Sequence, residues 1–577
     1  MADKHNQKSI LEQCESIEDP RIRHLIATVV ADLRRFAEEQ VGQLDDLVEI
    51  GVAMSSQEDI AAVLEMILGQ ARKVTHSDGG TLYLVSDDGR FLDFHVVHND
   101  TLDMHQGGTS GVPVNIPPVP LFTGDGEPNH TNVSAHVAHA GELVNIPDVY
   151  EYEEKEFDFR GARAFDKQMN YRGTSMLTVP MRDHTNTTIG VLQLINASEV
   201  DSGNVVEFDT THERRVMSLA SLAAVMLTQQ QLIAEMKQLF NSFIRAIATA
   251  IDAKSNHTGN HIARVTELTM MIAGQVNEVT TGPFGQTTFT PDEMEALRIA
   301  TWLHDTGKIT TPVHVVDKAT RLETVFDRIE LIRTRYALMR EQAKRLALEK
   351  MLASGAHTNG TGKQSRDKVQ RELDRTLEQL DKDYAFLEQM NNGDRFMDEE
   401  ALEKLAKIAG RTFEGKEKPL PALTQDEIAN LSIPKGTLTY DERQIINNHV
   451  VMTERILEEI AWPGNMKDVA KIAADHHEKL NGLGYPKGLK GDEILLQSRI
   501  MAVADIFEAL SAKDRPYKAP MKLSQAIKIL RFMVKDGDLD GDVVELFIGS
   551  GLVFEYAKER LSPDQIDVTA PEVIKTH

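Results

Sequence analysis

Apolar residues recur every three to four positions along RIRHLIATVVADLRRFAEEQVGQLDDLVEI, over a charged face, which predicts a helical lead-in across residues 1–50. The period then changes. DIAAVLEMILGQARKVT keeps helical spacing, whereas GGTLYLVSDDGRFLDFHVV, SMLTVPMRD and TIGVLQLIN read as short strands parted by the turn signals DDG and HTNT. A second helical stretch, ERRVMSLASLAAVMLTQQQLI, closes this unit and runs on through EMKQLFNSFIRAIATAIDAKS. Residues 51–230 are therefore expected to form an α+β domain, an antiparallel sheet with flanking helices, and residues 231–256 a connecting helix. That helix is either a stiff element that transmits motion or an ordinary amphipathic connection.

From residue 235 to 560 the pattern is helical throughout, so the second domain is expected to be all-α. It is interrupted over residues 319–436. There, RLETVFDRIELIRTRYALMREQAKRLALEKML and SRDKVQRELDRTLEQLDKDYAFLEQM, joined by ASGAHTNGTGK, predict a long antiparallel helical hairpin. Residues 561–577 read as a tail.

Charge narrows the partners. With 63 basic residues against 89 acidic, the net charge of −26 opposes binding to nucleic acid or anionic lipid, and any phosphate chemistry must rest on metals and a few local cations. The single cysteine, Cys14, excludes an intramolecular disulfide and fits a reducing compartment. No charged-then-apolar leader is visible, and VMSLASLAAVML, Val216 to Leu227, is too short to span a membrane. A soluble, cytoplasmic protein is expected.

The chemistry gathers around HHEKLNGLGYP, from His476 to Pro486, where two adjacent histidines and an acid run into a glycine-rich loop presenting a tyrosine. Alone, the pair reads either as metal ligands, neutral imidazole being the commonest nitrogen donor, or as a polar helix end. Upstream lies WLHDTGK (Trp302 to Lys308) and downstream RIMAVADIFEAL, with Asp505 at its centre. KDGDLDGDVVEL begins like a calcium loop but has Phe547 where a glutamate is needed, and is read as a solvated turn.

Together HDTGK, HHEKLNGLGYP, VADIFEAL and RPYK resemble, in that order, the HD-GYP family of HD metal-dependent phosphohydrolases. The resemblance implies metal ligands at His261, His304, Asp305, His449, His476, His477 and Asp505, with the Asp305 carboxylate bridging two cations. His257, four residues before His261, stands where some members hold a third metal through a glutamate, and is either a further ligand or a spectator. Two or three divalent ions are implied, iron or manganese suiting a mixed His/carboxylate shell. Asp305 and Lys308 are the implied catalytic residues. Lys308, Tyr485, Arg515 and Lys518 are the implied substrate contacts, and Glu478 and Glu508 are expected to orient ligand imidazoles. The implied substrate is cyclic di-GMP, opened to pGpG with further cleavage to GMP left open; cyclic GMP-AMP is a close variant, and a binding module acting on partner proteins is the rival reading.

The order of elements in residues 51–230 resembles a GAF sensory domain. Asn196, Phe208 and Glu213 match part of the pattern of cyclic-nucleotide-binding GAF domains, while Ala197 and His212 depart from it. A cyclic mononucleotide sensor and a GAF fold used for dimerisation both remain open, and a homodimer is expected.

Overall fold

The computed structural model describes residues 24, 28–29, 59–152, 157–199, 202–254, 260–355, 362–415, 417–513 and 520–569. Most of the expected lead-in helix and the end of the tail lie outside them, as do His257, Arg515 and Lys518. The chain divides into two compact units, residues 1–239 and 240–577.

The first unit is built on one antiparallel sheet. Helix α1 (Ile60–Thr75) starts at Asp59, whose carboxylate accepts the Ala61 N–H, and buries Val63, Leu64, Ile67, Leu68 and Ala71 along one face. The strands β1 (Ser77–Val85), β2 (Phe91–Asn99), β3 (Met104–Gly107), β4 (Val119–Pro120), β5 (Val144–Ile146), β6 (Met176–Arg182), β7 (Thr188–Ser198) and β8 (Val205–Val206) form the sheet in the order β3-β2-β1-β7-β6-β5. Strand β4 adds to β2 and β8 to β7. Two short helices, α2 (Val133–Ala140) and α3 (Arg160–Met169), lie in the connections.

Side chains alternate between the faces, as strand geometry requires. Leu82, Leu177, Val179, Leu192 and Leu194 pack with α1 and with the first part of helix α4 (Thr210–Asp252). Tyr83, Met176 and Val191 point the other way, against Leu121, Val133, Val137, Phe157 and Phe159. Helix α4 continues without a break to Asp252, and over this length it is apolar enough to cross a membrane by length and composition, which the stretch Val216 to Leu227 alone is not.

The second unit is helical. Helices α5 (His261–Glu278), α6 (Pro291–Leu303) and the four-residue α7 (Val313–Val316) precede the insertion. Helices α8 (Ile329–Gly355) and α9 (Gly362–Asn391) form the hairpin, followed by α10 (Glu399–Ala409) and α11 (Gln425–Leu431). Then come α12 (Tyr440–Glu458), α13 (Val469–Ala474), α14 (Leu496–Ser511), α15 (Leu523–Lys535), α16 (Gly541–Gly549) and α17 (Leu552–Arg560). The main core joins residues of α5, α6 and α12 to α17, including Leu268, Leu297, Ile472, Val503, Phe507 and Phe547.

The insertion has a core of its own, around Leu322, Ile332, Tyr336, Leu387, Met390, Leu405 and Leu431. Its neck is polar and closed. Buried Lys318 donates to Asn430 and to both oxygens of Glu442 at 2.8 Å, and fully buried Arg321 donates to the carbonyls of Met390, Arg395 and Gly436. These bonds tie the way in to the way out, so a tract of over a hundred residues interrupts the helical domain without loosening it.

Candidate metal centre

Three helix ends and the bodies of two further helices deliver the candidate ligands to one buried place. His261 opens α5, His304 and Asp305 follow α6, His449 lies within α12, and His476 and His477 follow α13. Asp505 stands on α14, three residues before Glu508 and hence on the same face.

The HD turn is held down by a neighbour that sequence reading missed. Thr453, four residues after His449, accepts the Gly307 N–H at 2.9 Å and donates to the His304 carbonyl at 3.0 Å. Gly307 is required by space. A Cβ there would lie 1.8 Å from the His449 carbonyl oxygen, so only glycine lets the turn approach α12 this closely.

The imidazoles are aimed by their backs. His304, His449 and His476 each donate Nδ1–H to the carbonyl three residues earlier, on Thr301, Ile446 and Ala473, at 2.7, 2.5 and 2.6 Å. A carbonyl can only accept, so in the neutral ring this sets the tautomer and leaves Nε2 as a lone pair. Those three Nε2 atoms are buried and have no hydrogen-bond partner. His261 instead turns Nδ1 to Glu508 Oε2 at 2.5 Å, and its Nε2 lies 3.4 Å from Asp505 Oδ1. Arg264 fixes the other oxygen of Glu508 at 2.7 Å.

Two triads result, His261–His304–Asp505 and His449–His476–His477, and a third group, His304–Asp305–His476, spans them, with donor atoms within 4.8 Å of one another in each. Asp305 lies between them. Its Oδ1 is 3.4 Å from His449 Nε2, while its Oδ2 is 3.4 Å from His304 Nε2 and 3.9 Å from His261 Nε2. The Lys308 ammonium sits 2.5 Å from the same Oδ2.

Electrostatics divide the two sides. Burial pushes His449 and His476 below the ordinary imidazole range and His477 down to about 4, so these rings are neutral. Burial opposes charge on His261 as well, but hydrogen bonds to Asp505 and Glu508 outweigh it and push it up to about 10. Burial likewise opposes ionisation of Asp305, yet the Lys308 ammonium and His304 hold its carboxyl well below the usual range. Buried lone pairs with no partner, beside ionised carboxylates, fit divalent metal ions as ligands.

Tyr485 stacks beside His477, ring centroids 4.9 Å apart, so the GYP loop borders the second triad. Glu478 is the correction. It turns away from the imidazoles and accepts the backbone N–H groups of Lys487, Gly488 and Leu489 at 2.7, 3.2 and 2.9 Å, clamping that loop. The turn in KDGDLDGDVVEL is likewise more than a solvated turn. Asp538 receives Lys479 and Asn481, at 2.7 and 2.9 Å, and Asp540 caps α16, so this turn braces the loop from below.

Of the three expected GAF ligand residues, Phe208 and Glu213 meet at Asn145, whose amide donates to the Phe208 carbonyl at 2.7 Å and to Glu213 at 2.8 Å. Buried Asn196 bonds Thr174, Tyr171 and Arg172 and borders a cavity of about 750 Å³ lined also by Arg72, Lys73 and Arg172. The Phe208 ring is packed into the core.

Comparison with known proteins agrees with this division. A GAF domain profile matches residues 59–227, and two HD domain profiles match residues 258–384 and 423–543. The chain is 43% identical over 104 residues to the 3'3'-cGAMP-specific phosphodiesterase 3 of Vibrio cholerae, covering 18% of this chain and 22% of that one. It is 37% identical over 129 residues to the cyclic di-GMP phosphodiesterase of Thermotoga maritima, covering 21% and 34%. It is 40% identical over 98 residues to the cyclic di-GMP phosphodiesterase response regulator RpfG of Xanthomonas campestris pv. campestris, covering 16% and 25%. The match thus spans about a third or less of the length of each of these relatives. The chain thus carries a GAF domain ahead of an HD domain, and within the HD region it is similar to named cyclic dinucleotide phosphodiesterases.

Proposed function

We propose that the HD domain is a metal-dependent phosphodiesterase that hydrolyses cyclic di-GMP to pGpG, with GMP as the further product if the linear dinucleotide is cut again. The observation that carries the reading is Asp305, one carboxylate with an oxygen turned to each of two triads of metal-ligand type. His261, His304, Asp305 and Asp505 would hold one ion, and Asp305, His449, His476 and His477 a second; iron or manganese suits this shell. His257 is the residue through which a third would bind.

Divalent ions bound there supply Lewis acidity toward water and toward the phosphoryl oxygens. The chain's own part is orientation and charge. Backbone carbonyls and Glu508 keep every described ligand imidazole but His477 from turning. Lys308, now on Asp305, reaches the same rim and offers an ammonium to a phosphate oxygen. Tyr485 offers its ring face to a base, and burial keeps its phenol protonated as a hydrogen-bond donor. Arg515 and Lys518 are the further cations of this reading. The GAF domain is the regulatory unit, and the enzyme acts as a homodimer.

A second reading changes only the substrate. One relative carries the name of a 3'3'-cGAMP-specific phosphodiesterase and shares 43% identity over the matched stretch, so cyclic GMP-AMP is the competing cyclic dinucleotide. The test is to load the purified chain with ferrous or manganous ion without oxygen and to supply each dinucleotide. Linear product from cyclic di-GMP supports the proposal. Binding without product under either metal would favour a signalling module in its place.

A further inference from the structure

Strand β2 turns Val96 and His98 toward helix α1, where Val96 joins the core beside Leu64 and Leu68. His98 is an odd residue for such a position. It is 7% exposed, and its Nε2 is buried without a hydrogen-bond partner. Buried imidazole nitrogens are ordinarily paired, so one left open points to a group that the side chains do not themselves supply. Two further residues of metal-ligand type stand around it. His105 of β3 lies directly opposite in the ladder, with ring centroids 4.7 Å apart and edge-on. Glu65 reaches over from α1, its Oε1 3.8 Å from His98 Nε2.

The carboxylate is aimed. Its other oxygen, Oε2, accepts the backbone N–H of Thr109 at 2.8 Å and the Thr109 hydroxyl. The turn that brings Thr109 there runs through Gly107 and Gly108, at φ +75° and +54°, and a Cβ on Gly108 would stand 2.9 Å from that same oxygen. Thr109 holds the Glu65 carboxyl below its ordinary value, and burial holds His98 below its own. The pair is thus an ionised carboxylate facing a neutral ring. At 3.8 Å the two make no hydrogen bond, but the gap is that of a shared ion. Ligand distances of about 2.0–2.1 Å to nitrogen and 2.0–2.2 Å to oxygen sum to about 4.2 Å, and a bent angle at the metal shortens this. Arg72 also acts on His98, but its charge is met by Asp100 at 2.6 Å.

We propose that Glu65, His98 and His105 bind one divalent transition-metal ion of the zinc class, two imidazoles and a carboxylate leaving a fourth position open to water. Glu65 and His98 stand at ligand spacing already. His105 is exposed, and a turn of its side chain toward His98 supplies the third donor. The ion ties α1 to the β2–β3 edge of the sheet. This site lies wholly within the first unit, so it stands independently of the proposed catalysis.

The test uses the full chain, stripped with a chelator and titrated with zinc chloride, as wild type, His98→Gln, His105→Ala and Glu65→Gln. His105 and Glu65 are not core residues, so their loss tests the site even where a change at buried His98 disturbs folding. At the same free zinc, wild type should hold one more ion per chain than each variant, whatever number the HD centre takes. Hydrogen exchange localises that ion. Zinc should slow exchange across residues 91–109 by about 10-fold in wild type, since it stabilises the state that binds it, and leave His105→Ala and Glu65→Gln unchanged there. Equal zinc counts in wild type and His105→Ala would overturn the site. So would exchange over residues 91–109 that zinc fails to slow in wild type, or slows equally in His105→Ala.

Discussion

Glu508 accepts the Nδ1–H of His261 at 2.5 Å while Arg264 holds its other oxygen at 2.7 Å, so the first candidate ligand is aimed by a carboxylate that is itself fixed. Removing that support should loosen the ligand without removing it. Glu508→Gln is expected to weaken metal binding by about 10–100-fold, the usual cost of losing an outer partner of a ligating histidine. Metal titration of the purified variant checks this, and an unchanged affinity would mean that His261 is held by packing alone.

Gly307→Ala should be disproportionately costly for one methyl group. Its Cβ would fall 1.8 Å from the His449 carbonyl, so either the HD turn or α12 must move, and the Thr453 bonds with it. We expect a loss of ~2–4 kcal/mol in stability, typical of overpacking together with a lost buried hydrogen bond. Denaturant unfolding and metal content, measured on the same variant, should fall together.

Much of this site was legible in the sequence, because HDTGK and HHEKLNGLGYP keep ligand residues at short spacing within single turns. The structure brings His261, His304, Asp305, His449, His476, His477 and Asp505 together, the set that the family resemblance implied. What was not legible was direction. Glu478 is adjacent to the paired histidines, yet it faces the loop that follows, because three free backbone N–H groups at residues 487–489 need an acceptor. Thr453 and Arg264 act across elements far apart in the chain, and no local period announces such contacts. The only hint was that each falls three or four residues from a histidine on its own helix. In the first unit sequence reading missed Asn145, whose amide donates to the Phe208 carbonyl and to Glu213 from a strand far away in the chain, while Asn196 bonds Tyr171, Arg172 and Thr174.

The neck of the insertion carries a pH signature. Burial resists ionisation of Glu442, but the buried Lys318 ammonium and the Thr439 cap outweigh it and hold the carboxyl below its ordinary value. A depressed pKa contributes stability above the unfolded value, about 4.3, and that contribution disappears as pH falls through the folded value. Lys318→Met should therefore cost ~2 kcal/mol at neutral pH, less than a fully buried pair because Glu442 is partly exposed, and the difference should shrink below about pH 4. Urea unfolding at pH 7 and at pH 3.5 checks the sign. A gap that widens in acid would show that the pair is not what stabilises the neck.

Tyr485 separates binding from turnover. Its ring lies beside His477 at the rim of the second triad, so Tyr485→Ala should raise KM about 10-fold through lost stacking, with a smaller effect on kcat. Tyr485→Phe keeps the ring and should stay near wild type. If the Phe variant were as impaired as the Ala variant, the hydroxyl would be the operative group.

The most direct test of the whole account is the turnover of cyclic di-GMP by wild type and Asp305→Asn, with metal content measured on both. The Asn side chain keeps the size of the carboxylate but removes the charge that faces both triads. The account predicts two ions per wild-type chain, held by the residues of the two triads. It also predicts a fall in kcat of at least ~1,000-fold in the variant, about 4 kcal/mol of lost transition-state stabilisation. Turnover by Asp305→Asn within a few-fold of wild type would contradict it.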